Sequence, residues 1–231
     1  MAKAGVVSSG IIGYQDITVP AGYSLFTVTF KEVGGSDTYN INNITVCNTD
    51  GTTYTTINKM RLNKMDDAGS YLTTYNYRYA KGGWCQNATF VDNIVLKSGE
   101  AVCLNNTSGG SLVMRVAGQV EVNPISYTLP TGYSLIGNMT PVTVNVNDIV
   151  PYYQVEGEWV VYPTINKVRL NKMDTEGSYL TTYNYRQAKG GWCQNATLQE
   201  NITLAPGESF CVNNTTGVPI QLRYKSPVSN N

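Results

Sequence analysis

Alternation of apolar and polar residues over short segments is the dominant pattern along this chain. In residues 57–62, Met60 and Leu62 alternate with Lys59 and Arg61. Successive side chains of a strand point to opposite faces, so this segment predicts a strand with one apolar face. Similar segments recur about every eight to twelve residues, with turn residues between them. No segment keeps the i, i+3/i+4, i+7 spacing of an amphipathic helix, so the sequence predicts an all-β protein.

A hairpin is the clearest local prediction. Residues 64–69 end in Gly69 and have the composition of a turn, and residues 70–78 resume as a β-branched and aromatic strand. Simple alternation along that strand would place Tyr71, Tyr75 and Tyr77 on a common face.

The chain carries this hairpin twice. Residues 57–90 recur at 165–198, shifted by 108 positions, and the copies differ at only five of 34 positions. A repeat this close indicates two copies of one folding unit, and frequent short strands are typical of sandwiches and barrels. We therefore expect two tandem homologous β-sandwich (jelly-roll-like) domains, residues 13–120 and 121–231, after an N-terminal arm or strand at residues 1–12.

The segments just before the two copies diverge, although both step from Asn- and Asp-rich residues into β-branched ones. Divergence inside an otherwise duplicated sequence suggests different surroundings. These segments are therefore candidates for contact with another subunit or partner.

Four of the five cysteines recur with the repeat. Cys85 and Cys103 are 18 residues apart, as are Cys193 and Cys211. This spacing suggests one disulfide in each unit, and two buried reduced thiols per unit are the alternative. A zinc site built from the four is disfavoured, because the spacing does not match zinc ribbons or knuckles.

Cys47 stands apart from the repeat, because Val155 occupies the corresponding position at a shift of 108. It is either a small buried hydrophobic residue or an unpaired thiol that could link to another chain.

Charge and residue types exclude several functions. Sixteen basic and sixteen acidic residues balance to zero, which does not favour nucleic acid as a partner, and no apolar run is long enough to span a membrane as a helix. The chain has no histidine, which excludes Ser-His-Asp and Cys-His systems and histidine-ligated zinc. We expect no enzymatic activity, no cofactor and no metal.

Paired carboxylates are the remaining catalytic option. Asp66 and Asp67 lie in a turn where the second copy retains only Asp174, and turn aspartates usually bond their own backbone. Glu100 and Glu208 are retained in both copies, each at the start of a strand, where a charge at a sheet margin is the simpler interpretation.

Aromatic residues of the repeat provide an alternative binding surface. Trp84 and Trp192, with Tyr75 and Tyr183, could stack on sugar rings. Burial against an opposing sheet is the competing interpretation and the more common fate of such a strand face.

An ordered set of motifs resembles a known family. The opening GY-x-x-I-x-V-P-x-G-Y-S-L segment, the later Gly-Gly-Trp, the Ser-Gly-Glu or Pro-Gly-Glu before an apolar strand, and the closing Val-Ala-Gly-Gln-Val occur in that order. The set resembles the β-rich repeat domain of secreted and surface proteins from the Planctomycetes, Verrucomicrobia and Lentisphaerae group of bacteria. The resemblance implies an exported structural or adhesive role and no catalytic residues.

These observations predict a non-enzymatic subunit of an extracellular or surface assembly, such as a filament, pilus-like fibre or surface layer. It would self-associate as a homo-oligomer or polymer through sheet edges, and the N-terminal arm, with Val6, Val7, Ile11 and Ile12, could donate a strand. A carbohydrate-binding or adhesin module for surface glycans and a viral capsid or fibre protein are the alternatives. No signal peptide precedes the repeats, so a secreted or surface location implies a mature or engineered start.

Overall fold

The computed structural model describes residues 11–34, 37–66, 68–121, 126–163 and 166–224, and in these ranges the chain is all-β, with helical structure limited to single 3-10 turns. The strands before residue 122 are β1 (Ile12–Val19), β2 (Gly22–Thr27), β3 (Thr38–Asn40), β4 (Thr45–Asn48), β5 (Met60–Met65), β6 (Tyr71–Arg78), β7 (Gly83–Gln86), β8 (Thr89–Phe90), β9 (Val95–Lys97), β10 (Ala101–Asn106) and β11 (Leu112–Gln119). Those after residue 125 are β12 (Ser126–Leu129), β13 (Gly132–Gly137), β14 (Val144–Asn145), β15 (Ile149–Val155), β16 (Glu158–Val161), β17 (Val168–Met173), β18 (Tyr179–Arg186), β19 (Gly191–Gln194), β20 (Thr197–Leu198), β21 (Thr203–Leu204), β22 (Ser209–Asn214) and β23 (Ile220–Tyr224).

Each sheet draws its strands from one side of residues 122–125. The first half forms sheets of order β1-β11-β4, β2-β10-β5-β6-β7-β8 and β3-β9. The second half forms β12-β23-β15-β16, β13-β22-β17-β18-β19-β20 and β14-β21. All these pairings are antiparallel.

A separate apolar core lies between the two larger sheets of each half. In the first half, Val19 and Met114 of the three-stranded sheet share a core with Phe26 and Leu104 of the six-stranded sheet. In the second half, Leu129, Leu222, Phe210 and Trp192 belong to the corresponding core. Alternation therefore produced the predicted inward apolar faces, as in a β-sandwich.

The predicted hairpin is present in both copies, but β5 begins later than expected. The sequence placed its start at Ile57, whereas the strand starts at Met60. Asn58 has a left-handed backbone with φ of 59°, and its counterpart Asn166 has φ of 61°. A left-handed residue turns the chain out of an extended path, so the strand can begin only after it.

Tyr71 does not share a sheet face with Tyr75 and Tyr77, so the prediction of one common face is wrong for this residue. Lys64 pairs with Thr73, but Met65 pairs with Tyr71, so the register between β5 and β6 shifts by one residue. Because strand side chains alternate, this bulge places Tyr71 on the face opposite Tyr75. The second copy repeats the shift between Lys172 and Met173.

Part of the predicted N-terminal arm belongs to the first sheet. Ile12 is the first residue of β1 and pairs with Gln119, and the Ile11 carbonyl accepts a hydrogen bond from the Val120 amide at 2.8 Å. Val6 and Val7 lie outside the described residues. The proposed free arm therefore cannot include Ile11 and Ile12, whose backbone is already paired within the chain.

We call the sheets of order β1-β11-β4 and β12-β23-β15-β16 the outer sheets of the two halves. The divergent segments form one edge of each. In the first half β4 pairs with β11, and Cys47 lies opposite Val113. In the second half β15 pairs with β23, placing Tyr152 opposite Gln221, and β16 adds one further strand. The sheet register thus matches Cys47 to Tyr152 and not to Val155, because the shift between copies is shorter here.

The six-stranded sheets of the two halves pack against each other through the faces that are turned away from the two cores. The buried contact includes Leu25 and Cys103 from one half and Leu135 and Cys211 from the other. The contacts are reciprocal: the Thr27 amide donates to the Gly207 carbonyl at 2.9 Å, and the Gly137 amide donates to the Gly99 carbonyl at 3.3 Å. Equivalent surfaces of the two copies meet, as in a two-fold dimer interface.

Candidate functional site

The tryptophans considered as alternative sugar platforms are core residues. Trp84 and Trp192 are both 0% exposed, and each makes an edge-to-face contact with a tyrosine, Tyr77 at 5.5 Å and Tyr185 at 5.3 Å between ring centroids. A side chain with no exposed surface cannot stack on a glycan, so the burial of both tryptophans contradicts the alternative of a sugar platform and agrees with packing in the core, the interpretation that the sequence favoured. Tyr75 and Tyr183 are half-buried against the same cores, which favours packing over ligand contact.

The predicted disulfides are also wrong. All five cysteines are free and buried. Cys85 lies on β7 and Cys103 on β10, and β5 and β6 separate these strands in the sheet. Three strand spacings place their backbones about 14 Å apart, whereas a disulfide needs Cα atoms within about 7 Å. The same strand order separates Cys193 from Cys211.

Cys47 is 2% exposed, which fits the small buried hydrophobic residue and contradicts a thiol available to another chain.

Cys103 and its repeat equivalent Cys211 are buried in the contact between the two halves. Burial raises the pKa of the Cys103 and Cys211 thiols above the ordinary value of 9.0. Tyr71 and Tyr179 adjoin these thiols, and burial, followed by interaction with the thiols, raises the pKa of both tyrosines.

The carboxylates of the repeat stabilise turns and ion pairs. Asp66 Oδ1 accepts the Ser70 amide at 2.7 Å, as expected for a turn aspartate. Glu100 pairs with Lys64 at 2.8 Å and Glu208 with Lys172 at 2.9 Å. Asp67 lies outside the described residues. Within the described ranges, no three His, Cys, Asp or Glu side chains converge in a way that could hold a metal ion.

Two clefts of about 550 and 570 Å³ flank the contact between the halves. One runs between Ile17 of β1 and the turn at Gly207, and the other between Tyr127 of β12 and the turn at Gly99. In the first cleft the strand comes from the first half and the turn from the second, and in the other cleft the equivalent strand and turn come from the opposite halves. The clefts therefore follow from the packing of the duplicated units.

Exposed apolar side chains occur on two sheet edges that are not equivalent. At the start of β1, Ile11, Ile12 and Tyr14 are 63%, 58% and 61% exposed. Val155 and Val160, in the β15–β16 hairpin, are 38% and 39% exposed. Among the described strands, β1 and β16 each have one neighbour, so both present backbone groups that no described strand pairs with.

The outer sheet of the second half carries a cluster that the sequence did not single out. The Arg223 guanidinium carbon lies 4.4 Å from the Tyr152 ring centroid and 5.6 Å from the Trp159 ring centroid. All three side chains are half-buried. Trp159 lies in the divergent segment of the second copy, and the first copy has no tryptophan there. This difference between the copies is the feature of the sequence that could have indicated the cluster.

The described residues contain no helix with the length and apolar character needed to cross a bilayer. Comparisons with protein-family models, curated proteins and solved structures find no match to the chain. The function is therefore inferred from the geometry of the molecule.

Proposed function

We propose that the chain is a non-enzymatic structural subunit of an extracellular or surface filament, built from two tandem homologous jelly-roll-like β-sandwich domains. The observation that carries the proposal is the pair of exposed apolar edges on β1 and β16. Such an edge is a template for pairing with another chain unless it is covered or charged. The near-zero net charge does not oppose close packing of copies.

The two edges favour open polymers over closed dimers. The internal contact joins equivalent surfaces of the two halves, which are therefore not free to bind another molecule, whereas the exposed edges on β1 and β16 belong to strands that are not equivalent. β16 has no counterpart among the strands of the described first half. Contact between β16 of one copy and β1 of the next would be heterologous, and heterologous contacts that do not close into a ring give filaments.

A lysine on either edge tests the proposal. Ile12→Lys and Val160→Lys each place a charge on one edge, which natural proteins use to block edge pairing. We expect the wild-type chain to form ordered polymers and each variant to remain monomeric in sedimentation and negative-stain microscopy. Val142→Lys, at a 47% exposed position outside the strands, is the matched control and should polymerise normally.

Mixing the two edge variants identifies the pairing. Each variant keeps the edge that the other lacks, so an equimolar mixture should form dimers that cannot extend. A wild-type chain that stays monomeric at high concentration, or edge variants that polymerise like Val142→Lys, would contradict the proposal. Polymers in the mixture would rule out β1–β16 pairing as the contact.

A further inference from the structure

One arginine occupies equivalent places in the two halves but has different partners. Arg115 on β11 lies opposite Asp16 of β1, and Arg223 on β23 lies opposite Ser126 of β12. Arg115 makes a bidentate bond to the Asp16 carboxylate, with N–O distances of 2.9 and 3.0 Å. The Arg115 guanidinium lowers the pKa of Asp16, as expected for a carboxylate held in its charged form.

Arg223 carries the same charge as Arg115, but Ser126 occupies the position opposite it where the first half has the Asp16 carboxylate. Among the described residues, its guanidinium has one hydrogen-bond acceptor, Gln221 Oε1, at 2.6 Å from Nε, and no acidic side chain within ion-pair distance. The remaining guanidinium N–H groups are therefore available. The half-buried Tyr152 and Trp159 rings lie beside this group, at 4.4 and 5.6 Å, and hold its position through cation–π contacts.

We propose that Arg223, Tyr152 and Trp159 bind a uronic-acid residue of an acidic polysaccharide. The ligand carboxylate takes the place that Asp16 fills in the first half, because a guanidinium presents paired N–H donors that match a carboxylate. The two aromatic side chains supply apolar surface for the sugar ring, in the combination of apolar walls and few polar groups that is typical of ligand sites.

The surrounding backbone favours a saccharide over an acidic peptide. β23 lies between β12 and β15, so its backbone groups are engaged in the sheet on both sides. An extended peptide therefore cannot add a strand at Arg223, and recognition there depends on side chains alone. A ring that carries its own carboxylate satisfies both the guanidinium and the aromatic surfaces.

Intrinsic fluorescence can report binding at this site. Trp84 and Trp192 are fully buried, and Trp159 is the one remaining tryptophan of the three in the chain. A trisaccharide of galacturonic acid should change the emission saturably, and the neutral trisaccharide of galactose should not. Trp159→Phe should remove the signal and weaken binding in calorimetry.

Substitutions at the equivalent positions give the decisive control. Ser126→Asp supplies the missing carboxylate within the chain and should weaken galacturonate binding at least about tenfold, as should Arg223→Gln. Asp16→Ser removes the corresponding carboxylate from the first half, where Arg115 lies 5.9 Å from the Tyr14 ring centroid. It leaves Arg223, Tyr152 and Trp159 unchanged, so the affinity reported by Trp159 emission should not change. Circular dichroism melting would establish that each variant is folded.

The proposal is overturned by any of three results: equal binding of the galactose trisaccharide, unchanged affinity in folded Ser126→Asp, or the absence of saturable binding. A glutamate-rich peptide that binds as tightly as the galacturonate would overturn the saccharide assignment. The measurements use the Ile12→Lys background, which places a charge on the β1 edge and leaves Trp159 on β16 unchanged. Trp159 emission then reports the saccharide and not polymer formation, so failure of this proposal can be distinguished from failure of the assembly proposed above.

Discussion

Individual residues that are identical in the two copies do not have identical environments. Trp192 donates its indole N–H to the Ile149 carbonyl at 2.9 Å. The equivalent Trp84 Nε1 is buried and has no acceptor among the described residues. Both rings are fully buried against a tyrosine, so the hydrogen bond is the main difference between them. An unsatisfied buried donor is costly, so the first copy carries a polar penalty that the second avoids.

This difference predicts unequal effects of the same substitution. Trp192→Phe and Trp84→Phe remove similar volume, but only the first leaves a buried carbonyl without its donor. We expect Trp192→Phe to lower the free energy of unfolding by about 1–3 kcal/mol more than Trp84→Phe. Urea unfolding of both variants measures the difference. Equal losses would show that the two indole N–H groups are equally satisfied in solution.

Among the elements, the turns before β10 and β22 join the halves. Gly99 and Gly207 both have φ of 78°, in the left-handed region. A Cβ at Gly99 would lie 1.6 Å from the Tyr127 ring, and a Cβ at Gly207 would lie 2.6 Å from Ile17 Cδ1. The turns therefore need glycine both for their backbone and for close approach of the other half.

Alanine substitutions at Gly99, Gly190 and Gly207 separate the cost of the left-handed backbone from the cost of close contact with the other half. Gly190 has the same φ of 78°, but a Cβ added there would meet no atom of the described residues within 4 Å, so Gly190→Ala reports backbone strain alone, about 1–2 kcal/mol. Gly207→Ala should cost more, and Gly99→Ala the most, because a buried ring yields less readily than the tip of an isoleucine. Thermal unfolding gives the ranking. Equal losses at all three would mean that the turns do not pack tightly against the opposite half.

At the scale of the whole molecule, the contact between halves buries the neutral thiols of Cys103 and Cys211 and covers part of the Tyr71 and Tyr179 side chains, which remain 44% and 43% exposed. Burial raises the pKa of Cys103 and Cys211 from an ordinary 9.0, and of Tyr71 and Tyr179 from an ordinary 10.0. The native state thus keeps these protons at pH values where the unfolded chain has lost them. Their contribution to stability is complete below about pH 9 and declines as the pH rises further.

Alkaline conditions should therefore destabilise the protein. We expect the free energy of unfolding to be unaffected by these groups between about pH 7 and 8.5, and to fall above about pH 9 and more steeply above about pH 10. Urea titrations across this range measure the slope. A Cys103→Ala/Cys211→Ala variant should lose less stability between pH 9 and 10. A flat profile up to about pH 11 would contradict the burial of these groups.

Local patterns were sufficient for the class of fold and for the hairpin. Alternation and turn residues depend on the strand period and on backbone geometry, which are local properties, so Met60 and Leu62 could be assigned to a buried face from sequence. The bulge that turns Tyr71 to the opposite face was not predictable in this way. It depends on the pairing of two strands and leaves the composition of either strand unchanged.

The duplication, the strand class and the balanced charge are properties that the sequence determined by itself, because each depends on residue order or composition. The tertiary structure alone decided that Cys85 and Cys103 lie three strands apart, that both repeated tryptophans are buried, and that Tyr152 and Trp159 meet Arg223. Spacing along a chain does not set distance across a sheet, because the order of strands places residues far apart in sequence next to each other and separates near ones.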